Sequence, residues 1–301
     1  MPPSRPNAND WALFAMCVAM WGSAYACVRV ALHHDAQPWT IVAGRLWIGS
    51  IALHLLWWRR RADGKEPPRT AHATGKLIAL GLIGAMAPFA LLSWAQTQIN
   101  SGLVGILAAL TPIIVGFAAP LVGLDDRLTA GKIIGLLLGF AGVVVLTGPD
   151  ALADLGGGAV LGQLAAAGGA VAYAINALLA RRGVGVPALE SAARWTFWGA
   201  LFSTPFAIMT WAGPPEALAW VMIAILALGS TGLASVAYFQ LLHDVGPSFV
   251  SQVNYFLPVC AVALGAVIFG ERLDWNAALA LALIGLGLIT TQGGWRRLGL
   301  K

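Results

Sequence analysis

Charge is confined almost entirely to the short segments between apolar stretches, and this decides which solvent the chain can fold in. Each stretch is close to the roughly 20 residues that a helix needs to cross the hydrocarbon core of a bilayer. Of the 301 residues, 58% are hydrophobic and 10% charged, whereas soluble proteins carry roughly a quarter charged residues. Lipid offers the backbone no hydrogen-bond partner, so a spanning segment of this kind must be a helix. Such spans are expected at about 11–32, 38–58, 75–98, 101–122, 129–147, 160–180, 188–211, 218–243, 247–270 and 275–292. They use nearly the whole chain and leave no soluble domain. The first is expected to be capped by Asp10. It is too long for a cleavable signal. Cys17, Cys27 and Cys260 all lie in apolar segments without a Cys-x-x-Cys pattern, so they read as packing thiols.

The stretch Val245–Leu273 is long enough to span, yet its first half is polar. Ser251, Asn254, Tyr255 and Pro258 fall at i, i+3, i+4 and i+7, which places them on one helical stripe. Pro258 has no N–H to donate to the Asn254 carbonyl four residues back. Such groups are tolerated at membrane depth only against protein or a wet cavity, so this segment is expected to line a solute path. The same plan occurs earlier, in Ser101–Leu128, with Pro112 standing 146 positions before Pro258. Pro88 marks a third expected helix break. Ala24-Tyr25-Ala26 recurs as Ala172-Tyr173-Ala174 at an offset of 148, Pro38 and Arg45 recur as Pro187 and Arg194 at 149, and Arg127-Leu128 recurs as Arg272-Leu273 at 145. Four matches in order imply a duplicated chain.

With the N-terminus placed inside, the inner loops collect Arg59, Arg60, Arg61, Lys65, Arg69, Arg181, Arg182, Arg296 and Arg297 among others, and the outer loops hold only Arg272. The positive-inside rule then sets both termini in the cytoplasm. It also explains the net charge of +5 without a nucleic-acid partner, since the excess faces the anionic inner leaflet. Five spans per half is an odd number, so the second half enters upside down. The expected fold is therefore ten transmembrane helices in two inverted five-helix repeats, with a site between the halves. The divisions are a cytoplasmic tail at 1–9, a first repeat at 10–148, a linker at 149–158, a second repeat at 159–294 and a tail at 295–301.

Polar residues pick out the lining helices. Trp94 and Gln98 share a face of the third helix. Tyr173 and Asn176 lie three apart on the sixth, and the eighth carries Tyr238. Tyr25 stands on the first, and Ser251, Asn254 and Tyr255 on the ninth. The amides are costly in lipid and need a partner, either another helix or a solute. Arg45 and Arg194 each follow a helix-opening proline by seven residues, about 10 Å along the axis. Each reads either as a carboxylate anchor for a solute or as a residue that snorkels to the membrane face or bonds to a neighbouring helix end. The fifth and tenth helices are aliphatic and belong at the periphery, and Gly131, Gly135 and Gly139 form a small-residue face that serves internal packing or, alternatively, a dimer contact. All thirteen acids lie in loops or at helix ends, so no relay for a proton or Na⁺ is expected at mid-membrane. This favours a facilitator. No metal or cofactor is implied.

Trp21-Gly22-Ser23, the Pro38-to-Arg45 spacing, Leu110-Thr111-Pro112 and Gly270-Glu271-Arg272-Leu273 resemble the EamA type of the drug/metabolite transporter superfamily across both halves. The chain looks most like the YddG-type aromatic amino-acid exporters. The resemblance implies the ten-helix inverted-repeat fold, a bacterial inner-membrane location and export of amino acids or related metabolites. A monomer is expected, with a dimer as the alternative. The competing expectations are a broad-specificity drug or metabolite exporter coupled to protons, an assembly subunit, and an intramembrane enzyme, for which no catalytic group is visible at depth.

Overall fold

The protein is described from a computed structural model, which defines residues 6–64, 74–124, 127–148, 152, 155, 159–181, 186–260 and 275–291. The linker around Gly156-Gly157-Gly158 and the Gly270–Leu273 motif lie outside these residues. The helices are α1 (Ala8–His33), α2 (Pro38–Ala62), α3 (Thr74–Ala95), α4 (Ser101–Ala108, resuming as Thr111–Leu121), α5 (Ala130–Thr147), α6 (Val160–Arg181), α7 (Ala188–Met209), α8 (Ala217–Asp244), α9 (Pro247–Ser251, resuming over 253–260) and α10 (Trp275–Thr291). No strand occurs among the described residues. Seven of the helices, α1 to α6 and α8, are long and apolar enough to cross a membrane.

Local chemistry explains the helix ends. The cap of α1 is Asn7 rather than Asp10. Asn7 Oδ1 accepts from the backbone N–H of Asn9 and Asp10, while the Asp10 carboxylate accepts from Asn7 N–H at 2.8 Å. The two side chains make a reciprocal capping box, and Asp10 sits at its third position. Asp35 turns the chain into α2 with φ 62°, a region that a short acidic side chain tolerates. Pro38 then opens α2, where its missing N–H costs nothing.

Four irregularities interrupt the helices. α3 widens into a π-helix over Gly81–Met86, and Ala87 N–H bonds to Leu82 O, five residues back. α8 does the same over Leu226–Leu233, with Ala234 N–H reaching Gly229 O. Leu226 follows Gly81 by 145 positions, within the offsets of the sequence repeat. α4 breaks at Ala109-Leu110 just before Pro112, and α9 breaks at Gln252. Pro88 stands at the second position after the first π segment, and Pro258 lies within the resumed α9, near Gly105 of α4. The Ala108 carbonyl, which Pro112 cannot bond, accepts from Thr111 Oγ1 at 2.8 Å.

Packing repeats the duplication. α2 lies against the π segment of α8, and α7 against the π segment of α3. Glycines permit both approaches. A Cβ on Gly49 of α2 would meet Ala227 O at 2.9 Å, and one on Gly81 of α3 would meet Trp198 Cβ at 2.5 Å. α5 and α10 make their most extensive contact with each other. There a Cβ on Gly135 would stand 2.6 Å from Gly287 O, so the small-residue face seals an internal helix pair.

Gly135→Leu should therefore lower the melting temperature of the purified protein, at a cost of about 1–3 kcal/mol for overpacking. Leu137→Ala, on a residue 54% exposed on the same helix, should leave it nearly unchanged. Equal melting temperatures would contradict this account of the α5–α10 contact.

Candidate solute-binding cavity

One cavity opens among helices of both halves, with about 80 Å³ of space reachable by water centres. A single water needs roughly 10–15 Å³ on that measure, so the space suits several waters or a small solute. α1 contributes Trp21 and Tyr25, and α3 contributes Phe89, Ser93 and Gln96. α6 presents Tyr173 and Asn176, α8 presents Tyr238, and α9 presents Ser251 and Asn254. Arg45, Thr111 and Trp195 complete the polar and aromatic wall from α2, α4 and α7.

Hydrogen bonds hold much of this wall in place. Asn176 Nδ2 donates to the Tyr238 hydroxyl at 2.8 Å, tying α6 to α8. Asn176 Oδ1 lies against Gly84, where a Cβ would come within 1.8 Å, so the first π segment must carry glycine there. Trp21 Nε1 donates to Ser230 O at 2.8 Å, and its ring packs on Tyr238 at 5.5 Å. Asn254 Nδ2 donates to Ser251 O at 2.9 Å on its own helix. Phe89 sits edge-on to both Tyr173 and Trp195.

The cavity brings together Tyr25, Tyr173, Asn176, Tyr238, Ser251 and Asn254 from the residues singled out by sequence. Three others are placed elsewhere. Trp94 is 39% exposed and Gln98 is also exposed, because the lining face of α3 runs through Phe89, Leu92, Ser93 and Gln96 at i, i+3, i+4 and i+7. α3 also ends at Ala95, leaving Gln98 in the turn that follows. Tyr255 is buried toward α5, with its hydroxyl donating to Leu136 O at 2.9 Å. The lining face of α9 runs through Val250, Asn254 and Leu257 at i, i+4 and i+7, and Tyr255, one residue round from Asn254, falls off it.

Arg45 is the lining residue that sequence left between two readings. It is 4% exposed. Its Nε donates to Thr231 Oγ1 at 2.9 Å and its Nη2 to Ser230 Oγ at 2.6 Å, both on the second π segment. Its guanidinium lies 4.0 Å over the Phe89 ring. This is a packed interior residue rather than a snorkelling one. Arg194 has a different fate. It pairs with Glu190 of its own helix at 2.8 Å, with the two side chains 4% and 0% exposed, and it donates to Thr74 Oγ1 at 2.6 Å.

Comparison with known proteins gives a consistent picture. A model described as the EamA-like transporter family matches residues 10–148 and again 160–291. An uncharacterised inner membrane transporter of Escherichia coli K12, YedA, is 25% identical over 94% of this chain and 90% of its own length. A probable terminal-alkyne amino-acid exporter of Streptantibioticus cattleyicolor is 29% identical over 95% of each chain. A protein crystal structure superposes with a TM-score of 0.78 at 23% identity, covering 97% of this chain and 100% of that one, which shows the shared fold.

Tyr238→Phe should leave the buried Asn176 amide without its acceptor, a loss of about 1 kcal/mol in thermal unfolding, and should reduce solute flux in reconstituted vesicles. Trp94→Ala and Gln98→Ala should keep flux within about twofold of wild type, since neither loses a cavity contact whose removal would approach the 1.4 kcal/mol of a tenfold change. A flux lost in Trp94→Ala and kept in Tyr238→Phe would move the site off this wall.

Proposed function

Because the chain belongs to the EamA-like transporter family, we propose that it exports amino acids, aromatic and other neutral ones, by alternating access through this cavity. It is a multi-pass membrane transporter, not an enzyme. The observation that carries the substrate reading is the composition of the cavity wall. Trp21, Tyr25, Tyr173 and Tyr238 offer aromatic faces, while Ser251, Asn254 and Gln96 offer hydroxyl and amide groups. Aromatic faces stack on an aromatic or aliphatic side chain and attract an ammonium group. A relative whose name describes an amino-acid exporter supports the same class.

The architecture in this reading is ten spans in two inverted repeats, set in the bacterial inner membrane with both termini cytoplasmic. The paired π segments at an offset of 145, and the matched packing of α2 on α8 and α7 on α3, support it. So does the basic loop asymmetry. Transport runs down the solute gradient through a monomer. The proton-coupled drug exporter has one observation in its favour: Glu190 is buried, and its Oε2 has no hydrogen-bond partner. Its other oxygen is held by Arg194, however, and Glu190 does not line the cavity.

Vesicles reconstituted with purified protein should take up labelled phenylalanine, tryptophan and leucine, with no accompanying change in lumenal pH. Uptake that collapses when a pH gradient is dissipated would select the proton-coupled exporter. Uptake of organic cations with exclusion of every amino acid would remove the proposed substrate class.

A further inference from the structure

We propose that Arg45 is the carboxylate anchor of the cavity: its guanidinium binds the α-carboxylate of the transported solute, so the site selects carboxylate-bearing solutes over their amides and esters. The proposal rests on the amino-acid reading of the cavity and assigns one end of the solute to one residue.

The first support is an uncompensated charge. Among the described residues, the groups that hold Arg45 are neutral, namely two hydroxyls and an aromatic ring. No carboxylate among the described residues pairs with it. A buried cation is expensive unless an anion shares its site, and an ionisable group inside a membrane protein marks a ligand or ion path. The two bonds use two of the five guanidinium N–H groups, leaving three for a ligand. A carboxylate matches that fork with two parallel, charge-assisted bonds.

The second support is the contrast between the repeats. Arg45 and Arg194 stand at equivalent positions, 149 apart. Four residues before Arg194 is Glu190, which neutralises it on its own helix. Four residues before Arg45 is Ile41, which is fully buried and apolar. The half whose arginine lines the cavity is the half that lacks the intrahelical acid.

The third support is fixed aim. The Ser230 hydroxyl donates to Leu226 O at 3.0 Å, so its lone pairs are turned to Arg45. The Ser230 carbonyl is held by Trp21. The guanidinium is therefore oriented before any solute arrives, and its ordering cost is already met.

The test uses full-length protein in vesicles and compares three competitors of labelled phenylalanine uptake: phenylalanine, phenylalaninamide and 3-phenylpropionate. Wild type should prefer the acid to the amide by about tenfold or more, as expected for a charge-assisted pair, and phenylpropionate should compete. In Arg45→Gln the acid-to-amide preference should fall to about one and phenylpropionate should stop competing, while Arg45→Lys keeps part of the preference. A folded Arg45→Gln protein that retains the wild-type preference overturns the proposal. So does a wild type that accepts acid and amide equally, a result that needs no variant to fold. Binding is also read as a shift in melting temperature. A wild type that moves no amino acid sinks the export reading, yet still reports on the anchor. Carboxylates that stabilise wild type and not Arg45→Gln support it, and carboxylates that stabilise neither overturn it.

Discussion

Hydrocarbon supplies no hydrogen bonds, and this constraint governs where the helices of this protein are allowed to be irregular. The π segments of α3 and α8 each lie beneath a helix from the other half, α7 and α2 respectively. A π turn frees backbone groups and widens the helix, and here the surrounding protein supplies the partners. Trp21 Nε1 takes the Ser230 carbonyl, and the Ser230 and Thr231 hydroxyls seat Arg45. The α4 break is satisfied in the same way, by Thr111 on the Ala108 carbonyl. The cavity is bordered by Gly84 of the first π segment, Thr111 at the α4 break and Ser251 beside the α9 break, so irregular backbone there faces protein and a polar space rather than lipid.

The helical framework was legible because its cause is local. A run of apolar residues between charged gaps has one solution in a bilayer, and predicted ends such as those at Pro38, Thr147 and Val160 match the structure. The cap of α1 was misplaced by three residues because Asn7 and Asp10 can each begin such a motif, and only the reciprocal bonds separate them. The π segments were not legible. GLIGAM and LALGSTGL carry glycines, but nothing in composition distinguishes an i−5 bond from an i−4 bond.

The cavity wall was legible only as far as facing could be guessed. Periodicity groups residues onto a face without saying what that face meets. On α3 the expected face joined Trp94 to Gln98 and passed over Ser93 and Gln96, which also share a face. The protein turns the second pair inward. On α9 the predicted stripe was centred too far round: the cavity takes Val250, Ser251, Asn254 and Leu257, and Tyr255 lies beyond that face. Arg45 remained between two readings because a count of residues from Pro38 gives distance along the axis only. Its true setting depends on Ser230 and Thr231, about 186 positions away.

The two halves share a backbone plan and differ in their electrostatics, and that difference is what a duplicated transporter needs. A perfectly repeated chain would present the same groups to each end of a solute, whereas a zwitterionic solute such as the proposed amino acid has two unlike ends. Arg194 closes an ion pair within α7 and fastens it to the start of α3, so its charge is spent on architecture. Arg45, with Ile41 in place of an acid, keeps its charge facing the space between the halves. The duplication supplies a frame around a seam, and the divergence at positions 41 and 190 gives that seam one positive end.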